Sequence, residues 1–225
     1  MPKNIVHTKG VGSTLYIVIH GAGEGIKSEY TQYLLKRLED DNFPTLSFDF
    51  NYITNGVPPS IDKKREEAEL YELISDYAGK NIYSNFVLIG KSMGGVLSLR
   101  IATTNIANIK AVIILGFPLR LGVNVDLSLL QNNPFVPALD YLSGFSKTIK
   151  NVTCQVLIIQ GKNDLLGTKD DIDWLIHNSK HKNINVQFIE NATHSFGSLD
   201  ASTSKEENYD KSYILLKHHV KTRSF

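Results

Sequence analysis

The clearest chemical signal in the chain is a serine between glycines, in the segment Gly90-Lys91-Ser92-Met93-Gly94-Gly95. A short apolar run, Phe86–Ile89, precedes this segment, and Val96-Leu97-Ser98-Leu99 follows it. In such a strand–turn–helix context, the spacing G-x-S-x-G holds a nucleophilic serine on a sharp turn with its hydroxyl projecting outward. A Gly- and Ser-rich turn without chemistry is the alternative. The context favours Ser92 as a nucleophile.

A serine hydroxyl is a weak nucleophile at neutral pH, so it needs a base, and the base needs an orienting acid. Asp164 follows the apolar run Val156–Ile159, and His194 follows the run Val186–Ile189. The order serine, acid, histidine fits the G-x-S-x-G motif, and ligand sites gather beyond the carboxyl ends of parallel strands. We therefore predict Ser92, Asp164 and His194 as catalytic residues. Taken singly, the aspartate could be a helix cap and the histidine a surface-loop residue.

A glycine-rich loop near the N-terminus is the candidate for stabilising a reaction intermediate. His20-Gly21-Ala22-Gly23-Glu24-Gly25 follows the apolar run Leu15–Ile19. Acyl transfer passes through a tetrahedral oxyanion, which fixed main-chain N–H groups stabilise. One N–H group would come from Met93, directly after the nucleophile, and the second from Ala22. A phosphate-binding loop is the rival interpretation, but neither G-x-G-x-x-G nor a G-K-[ST] ending occurs in this loop.

The elements that must position these residues alternate along the chain. Six short apolar runs rich in β-branched residues predict strands: Leu15–Ile19, Thr45–Phe50, Phe86–Ile89, Ala111–Leu115, Val156–Ile159 and Val186–Ile189. They lack a clean apolar–polar alternation, which is typical of strands buried on both faces of a parallel sheet. Helical patterns lie around Tyr30–Leu38, Leu70–Tyr77, Gly94–Thr104, Ala138–Ile149, Ile172–Ile176 and Tyr213–Val220. This alternation predicts a doubly wound, mostly parallel α/β sheet, whereas the start of the chain around His7 is expected to be unstructured.

Composition bounds the class of protein. The 225 residues are 42% hydrophobic with a formal net charge of +1, which excludes intrinsic disorder and argues against a nucleic-acid or membrane-surface partner. Cys154 is the single cysteine, so no intramolecular disulfide can form. No third ligand accompanies His177 and His181, so we expect neither a metal nor a cofactor. No signal peptide follows Met1, and we expect one cytoplasmic domain over residues 1–225.

Together these segments resemble the small α/β-hydrolase fold proteins of the dienelactone-hydrolase-like type. More narrowly, the chain resembles the family that joins bacterial hydrolase-like proteins to testis-expressed protein 30 and subunit 3 of the nonspecific-lethal histone acetyltransferase complex. The similar stretches are His20–Gly23, Phe48–Tyr52 with Pro58-Pro59, Gly90–Gly95, Leu115–Leu119, Gln160–Asp164 with Gly167, and His194. The resemblance implies an α/β-hydrolase fold. Some members of that family are subunits of complexes, so a catalytically silent interaction module is the alternative to an enzyme.

The resemblance also implies where a lid and a substrate would lie. Lids in this fold usually follow the strand predicted here at Ala111–Leu115, and the connection after it must also supply a crossover helix, which leaves a minimal lid or none. Some relatives place the acid in this connection, where Asp126 and Asp140 are the competitors of Asp164.

We therefore expect a serine hydrolase, monomeric or a small homo-oligomer, that cleaves an ester or thioester of a small acyl compound. Its pocket should be shallow and open, and four residues should border the substrate: Gly21, Tyr52, Lys91 and Phe117. Lys91 either favours substrates that bear a carboxylate or is a solvated side chain beside the turn.

Overall fold

The computed structural model describes residues 2–23, 25–120, 138–199 and 203–223, with the main chain alone for 138–143. Within them the strands are β1 Lys3–Thr8, β2 Thr14–Ile19, β3 Thr45–Asp49, β4 Asn85–Lys91, β5 Ile109–Leu115, β6 Gln155–Gly161 and β7 Ile184–Ile189. They form one sheet in the order β1-β3-β2-β4-β5-β6-β7. β1 pairs antiparallel with β3, and the other pairs of neighbours are parallel. The predicted mostly parallel sheet is confirmed.

The helices are α1 Glu29–Asp40, α2 Asn51–Thr54, α3 Lys64–Gly79, α4 Met93–Ala102, α5 Ala138–Lys150, α6 Lys169–Ser179 and α7 Lys205–Thr222. Local signals fix several of their starts. The Ser28 hydroxyl accepts the N–H of Thr31 before α1, and Ser204 caps α7 in the same way. A capping box of Thr168 and Asp171 begins α6. Each predicted helical pattern coincides with one of these helices, although the pattern Gly94–Thr104 runs two residues past the end of α4, and among the described α-helices the single-turn α2 has no counterpart in the predictions.

The central strands are buried on both faces because helices cover each side of the sheet. In β2, Leu15, Ile17 and Ile19 join one apolar cluster, which includes residues of α3 and α4. The alternate residues Tyr16 and Val18 join a second cluster, which includes residues of α1 and α7. Every residue of β2 is buried, as the lack of apolar–polar alternation predicted.

The strand order changes direction beside β2. From β2 the chain runs outward to β3 and then crosses back to β4, which pairs with the other side of β2. The loops after β2 and β4 therefore diverge at the carboxyl edge of the sheet and leave a crevice between them, which is where open α/β sheets bind ligands. The glycine-rich loop after Ile19 and the turn at Ser92 lie at this point.

The expectation of an unstructured start was wrong. Residues Lys3–Thr8 form the edge strand β1, with His7 opposite Leu46 of β3. Almost all residues of this strand are exposed, so the sequence contains no long apolar run that would predict it. Main-chain pairing holds it, together with a 2.9 Å hydrogen bond between His7 Nε2 and the Tyr83 hydroxyl.

Two other predictions concern parts of the chain outside this description. The segment that would hold a lid, 121–137, lies outside the described residues, and Asp126 lies within it. The side chain of Asp140 also lies outside them. In the parts of the chain that the structure covers, no helix combines the length and the apolar character needed to cross a membrane.

Candidate active site

A strained turn between β4 and α4 presents Ser92. Its backbone angles are φ 51° and ψ −116°, in the left-handed half of the map that side chains rarely adopt. The surrounding backbone leaves no room for a side chain at either flanking glycine. A Cβ atom at Gly90 would lie 2.3 Å from the Gly94 carbonyl, and one at Gly94 would lie 2.2 Å from the Ile19 carbonyl oxygen. The G-x-S-x-G spacing is therefore a steric requirement of this turn.

Three of the predicted residues come together at the carboxyl edge of the sheet. His194 Nε2 lies 2.9 Å from Ser92 Oγ, and His194 Nδ1 lies 2.8 Å from Asp164 Oδ2. A carboxylate only accepts hydrogen bonds, so Nδ1–H donates to Asp164 and Nε2 is left to accept the serine proton. The other carboxylate oxygen, Oδ1, accepts the N–H of Leu166 at 2.8 Å. The arrangement is that of a nucleophile, a base and an orienting acid.

A buried glutamine that sequence reasoning passed over completes this network. Gln160, at the end of β6, is fully buried, and its Nε2 donates to Asp164 Oδ2 at 2.6 Å and to the Gly167 carbonyl at 2.8 Å. Its Oε1 accepts the N–H of Phe117 at 2.7 Å. Gln160 thus fixes the acid against the ends of β5 and β6. The one available signal was an amide side chain at the end of an otherwise apolar strand.

The loop after β2 is held by two hydrogen bonds to one carbonyl. The Gly21 carbonyl oxygen accepts one hydrogen bond from His20 Nδ1–H at 2.6 Å and another from the Tyr52 hydroxyl at 2.9 Å. His20 Nε2 accepts the N–H of Phe50, so the ring is neutral with its proton on Nδ1. Burial lowers the pKa of His20 and favours the same neutral form.

This anchoring sets the direction of the next N–H group. In a trans peptide the C=O and N–H bonds point in opposite directions, and no peptide bond in the described chain is cis. With the Gly21 carbonyl turned toward His20 and Tyr52, the Ala22 N–H points the other way, and Ala22 lines the cavity that holds Ser92. Met93 opens α4, and the first N–H groups of a helix have no intrahelical partner.

The electrostatic surroundings of His194 favour its neutral form. Burial is the main effect, and the positive charge of Lys91 adds to it. The hydrogen bond to Asp164 acts in the opposite direction, but the net result is a pKa below the ordinary value of 6.5. At neutral pH, Nε2 of His194 is therefore available to accept a proton.

A cavity of about 530 Å³ opens in front of these groups. Gly21, Ala22, Ser92 and His194 line it. Residues at the starts of α1 and α7 also line it, and there Lys205 Nζ lies 2.6 Å from Glu29 Oε1. The cavity thus exposes both the serine and an ion pair.

Two of the four residues expected to border the substrate do not line this cavity. Phe117 is fully buried and packs edge-on against Phe145 in the core. Tyr52 is 2% exposed, and its hydroxyl is used on the Gly21 carbonyl. Both follow a strand end, where the chain turns back toward the core. Gly21 and Lys91 do line the cavity.

The interpretation of Lys91 as a solvated side chain was also wrong. Its Nζ donates to the main-chain carbonyl of His194 at 2.6 Å. Burial lowers the pKa of Lys91 to about 8, against a smaller opposite effect of the Asp164 charge. As for metals, no group of three or more His, Cys, Asp or Glu side chains is placed to hold an ion within the residues that the structure describes.

Solved structures with this fold span nearly the same length. The monoacylglycerol lipase of Paleococcus ferrophilus is 16% identical with a TM-score of 0.66, and the match covers 97% of this chain and 100% of the lipase. An alpha-beta serine hydrolase homologue from Coxiella burnetii is 15% identical with a TM-score of 0.71, covering 95% and 90%. A lipase-esterase related protein from Clostridium acetobutylicum is 18% identical with a TM-score of 0.68, covering 96% and 98%. At these identities the likeness shows the fold alone.

Among curated proteins, none matches the chain. The model of the family described as "Alpha/beta hydrolase domain" matches residues 12–132 and 124–220, which include all the residues of the candidate site. The chain therefore belongs to the alpha/beta hydrolase domain family.

Proposed function

We propose that this protein is a serine hydrolase that cleaves an ester or thioester of a small acyl compound. The observation that carries the proposal is the continuous chain of hydrogen bonds from Ser92 Oγ through His194 to Asp164, with Ser92 and His194 lining an accessible cavity. A hydroxyl with a purely structural role does not require a histidine and a buried carboxylate hydrogen-bonded in series to it, whereas a nucleophilic serine does. Membership of the alpha/beta hydrolase domain family supports the same conclusion.

Each group has a role in the proposed reaction. Ser92 Oγ attacks the carbonyl carbon of the substrate while His194 Nε2 takes the hydroxyl proton, and Asp164 holds the imidazole and stabilises its positive charge. The N–H groups of Ala22 and Met93 receive the oxyanion of the tetrahedral intermediate. His194 then returns the proton to the leaving alkoxide or thiolate, and an acyl-enzyme remains. A water molecule then attacks the acyl carbon while His194 takes its proton, and the bond from that carbon to Ser92 Oγ breaks as His194 returns the proton to Oγ, which releases the acid.

The polar lining of the cavity supports a short acyl chain. It includes the ion pair of Glu29 and Lys205 and also Ser28. A long alkyl chain that extended from Ser92 along the cavity would have to cover these charged groups and remove their water, which costs free energy. We expect p-nitrophenyl acetate and butyrate to be hydrolysed much faster than the palmitate. A preference for palmitate would place the acyl chain elsewhere, against a cap.

The finer resemblance to dienelactone hydrolases and to the family of testis-expressed protein 30 stays a prediction. So does the alternative that the fold is kept as a catalytically silent interaction module. The two functions make opposite predictions for the chemistry of Ser92, because only an activated serine reacts with a fluorophosphonate.

The test is covalent labelling with a fluorophosphonate probe, followed by mass spectrometry of the labelled peptide. We expect the label on Ser92 of the wild type. The Ser92→Ala variant should lose both the labelling and the hydrolysis of esters. Ser195→Ala removes another hydroxyl from the same cavity and is the matched control, which should still be labelled. A protein that is folded by circular dichroism and yet stays unlabelled would establish the silent module.

A further inference from the structure

The lysine beside the nucleophile reaches across the site to the base. Lys91 is the last residue of β4. Its Nζ donates to the main-chain carbonyl of His194 at 2.6 Å and lies 5.7 Å from the centre of the Phe196 ring. Gly116 leaves room for it, because a Cβ atom there would lie 2.9 Å from Nζ. The ammonium thus occupies a slot between the end of β5 and the turn that carries the histidine.

That turn sets the place of the imidazole. Thr193 N–H donates to the Gly197 carbonyl at 2.8 Å, and Phe196 N–H donates back to the Thr193 carbonyl at 3.0 Å. Phe196 has a φ of 60°, so the chain reverses tightly directly after His194. The turn is also tied to its surroundings by the Asn163 N–H, which donates to the Ala192 carbonyl at 2.9 Å, and by the fully buried ring of Phe196. A charge-assisted bond from a neighbouring strand adds a connection to the rigid sheet, and such bonds are about twice as strong as neutral ones.

We propose that Lys91 is a positioning residue, whose ammonium clamps the main chain at His194 and so holds the imidazole in line between Ser92 and Asp164. This inference rests on the proposed function. Lys91 and Ser92 are consecutive residues at the end of β4. This one rigid segment therefore positions the Ser92 hydroxyl directly, and it positions His194 through the hydrogen bond from Lys91 to the His194 carbonyl. A shift of the turn at His194 would misalign the imidazole with Ser92 Oγ and Asp164 Oδ2.

The charge of Lys91 has a second effect on the base. It lowers the pKa of His194, so the base form of the imidazole persists to lower pH than it would without the lysine. Among the described residues, the other charged and titratable groups on this site are Asp164 on the loop after β6, Glu29 and Tyr30 on α1, and Lys205 and Tyr209 on α7. Glu29 and Lys205 pair with each other, so they contribute little net charge.

The test compares Lys91→Met with Lys91→Arg. The methionine keeps a long unbranched side chain but removes the charge and the donor. We expect it to lower kcat/KM about 10- to 100-fold, the scale of a small misplacement of a catalytic group. We also expect the acid limb of the pH profile to move to higher pH, because the pKa of His194 rises once the neighbouring positive charge is lost. Lys91→Arg keeps the charge and should recover much of the rate and the original acid limb.

Lys162→Met is the matched control. Lys162 also follows the carboxyl edge of the sheet, but its ammonium pairs with the exposed Glu190 at 2.8 Å. The same loss of charge there should leave both the rate and the pH profile unchanged. An equal shift in the two variants would mean that only the net charge of this edge matters, and it would overturn the clamp.

A readout without catalysis separates this inference from the proposed function. NMR titration of the His194 imidazole should give a higher pKa in Lys91→Met than in the wild type. An unchanged pKa would overturn the charge effect of Lys91 on the base, whether or not the protein hydrolyses esters, and an unchanged kcat/KM in Lys91→Met would overturn the clamp. A wild type without fluorophosphonate labelling would overturn the proposed function alone. Should Lys91→Met fail to fold, the same titration on Lys91→Gln, a polar neutral side chain, decides the question with the same two outcomes.

Discussion

Tyr52→Phe tests how the loop after β2 serves the reaction. The substitution removes one oxygen atom and leaves the aromatic ring in the core, where it stacks at 6.0 Å from Phe50. Burial and nearby carboxylates raise the pKa of Tyr52, so the hydroxyl is a proton donor throughout the usable pH range. Without it, the Gly21 carbonyl keeps only the hydrogen bond from His20 Nδ1. The peptide that carries the Ala22 N–H then has one anchor instead of two.

The size of the effect is bounded on both sides. One neutral hydrogen bond contributes about 0.5–1.5 kcal/mol net, which should appear as the loss in free energy of unfolding. If the same amount is lost from the transition state, kcat falls by a factor of about 2 to 13 at RT of about 0.6 kcal/mol. Complete loss of an oxyanion donor costs about 10²–10³, so the Tyr52→Phe effect must stay below that ceiling. KM should be unchanged, because the oxyanion exists only beyond the ground state.

The assay is steady-state hydrolysis of p-nitrophenyl butyrate together with urea denaturation. Tyr213→Phe is the matched control, since it removes a hydroxyl that bonds to the Arg37 carbonyl at 2.9 Å and to Asp41 Oδ2 at 2.5 Å, on a residue that does not line the cavity. That variant should lose stability and keep kcat. If Tyr52→Phe loses stability but keeps kcat as well, the hydroxyl only supports the fold, and the argument from the Gly21 peptide is refuted.

Three further predictions follow from the same network. Gln160→Leu should lower the free energy of unfolding by about 2–6 kcal/mol in urea titration, because two buried main-chain groups lose their partner at about 1–3 kcal/mol each; a loss below 1 kcal/mol would mean that water replaces the amide. Asp164→Asn should lower kcat about 10⁴-fold, whereas Asp140→Asn should not; the reverse result would move the acid one strand earlier. Finally, kcat/KM should rise with pH through a midpoint below 6.5, since the pKa of His194 is lowered and its neutral form is the base; a midpoint above 7 contradicts this.

The sheet and three of the site residues could be predicted from the sequence because both depend on local patterns. An apolar run of four to six residues marks a strand that is buried on both faces, and a functional residue within about five residues after such a run lies at one edge of the sheet. Ser92, Asp164 and His194 each follow a run in this way. The edge strand β1 has no such run, since main-chain pairing rather than burial holds it.

The pocket walls could not be predicted in the same way. A strand alternates its side chains between two faces, but this alternation ends where the strand ends. Phe117 comes after Gly116, whose φ is 67°, and Tyr52 lies in α2, a helix of one turn that the sequence did not announce. Both side chains therefore turn into the core. The partner of Lys91 is a main-chain carbonyl 103 residues away. Every residue has such a carbonyl, so the residue types cannot indicate which one Lys91 contacts.

The long sequence separations within the site also have a consequence for how the chain folds. The hydrogen bond between Ser92 and His194 joins residues 102 positions apart, and the bond between Asp164 and His194 joins residues 30 apart. Contacts of this kind form only after large loops have closed, which makes parallel sheets slow to fold. An intermediate that has paired β2, β4 and β5 but not β7 would carry the strained serine without its base. Recovery of the proposed hydrolase activity during refolding should therefore lag behind the recovery of secondary structure, and it would report the docking of the last strand.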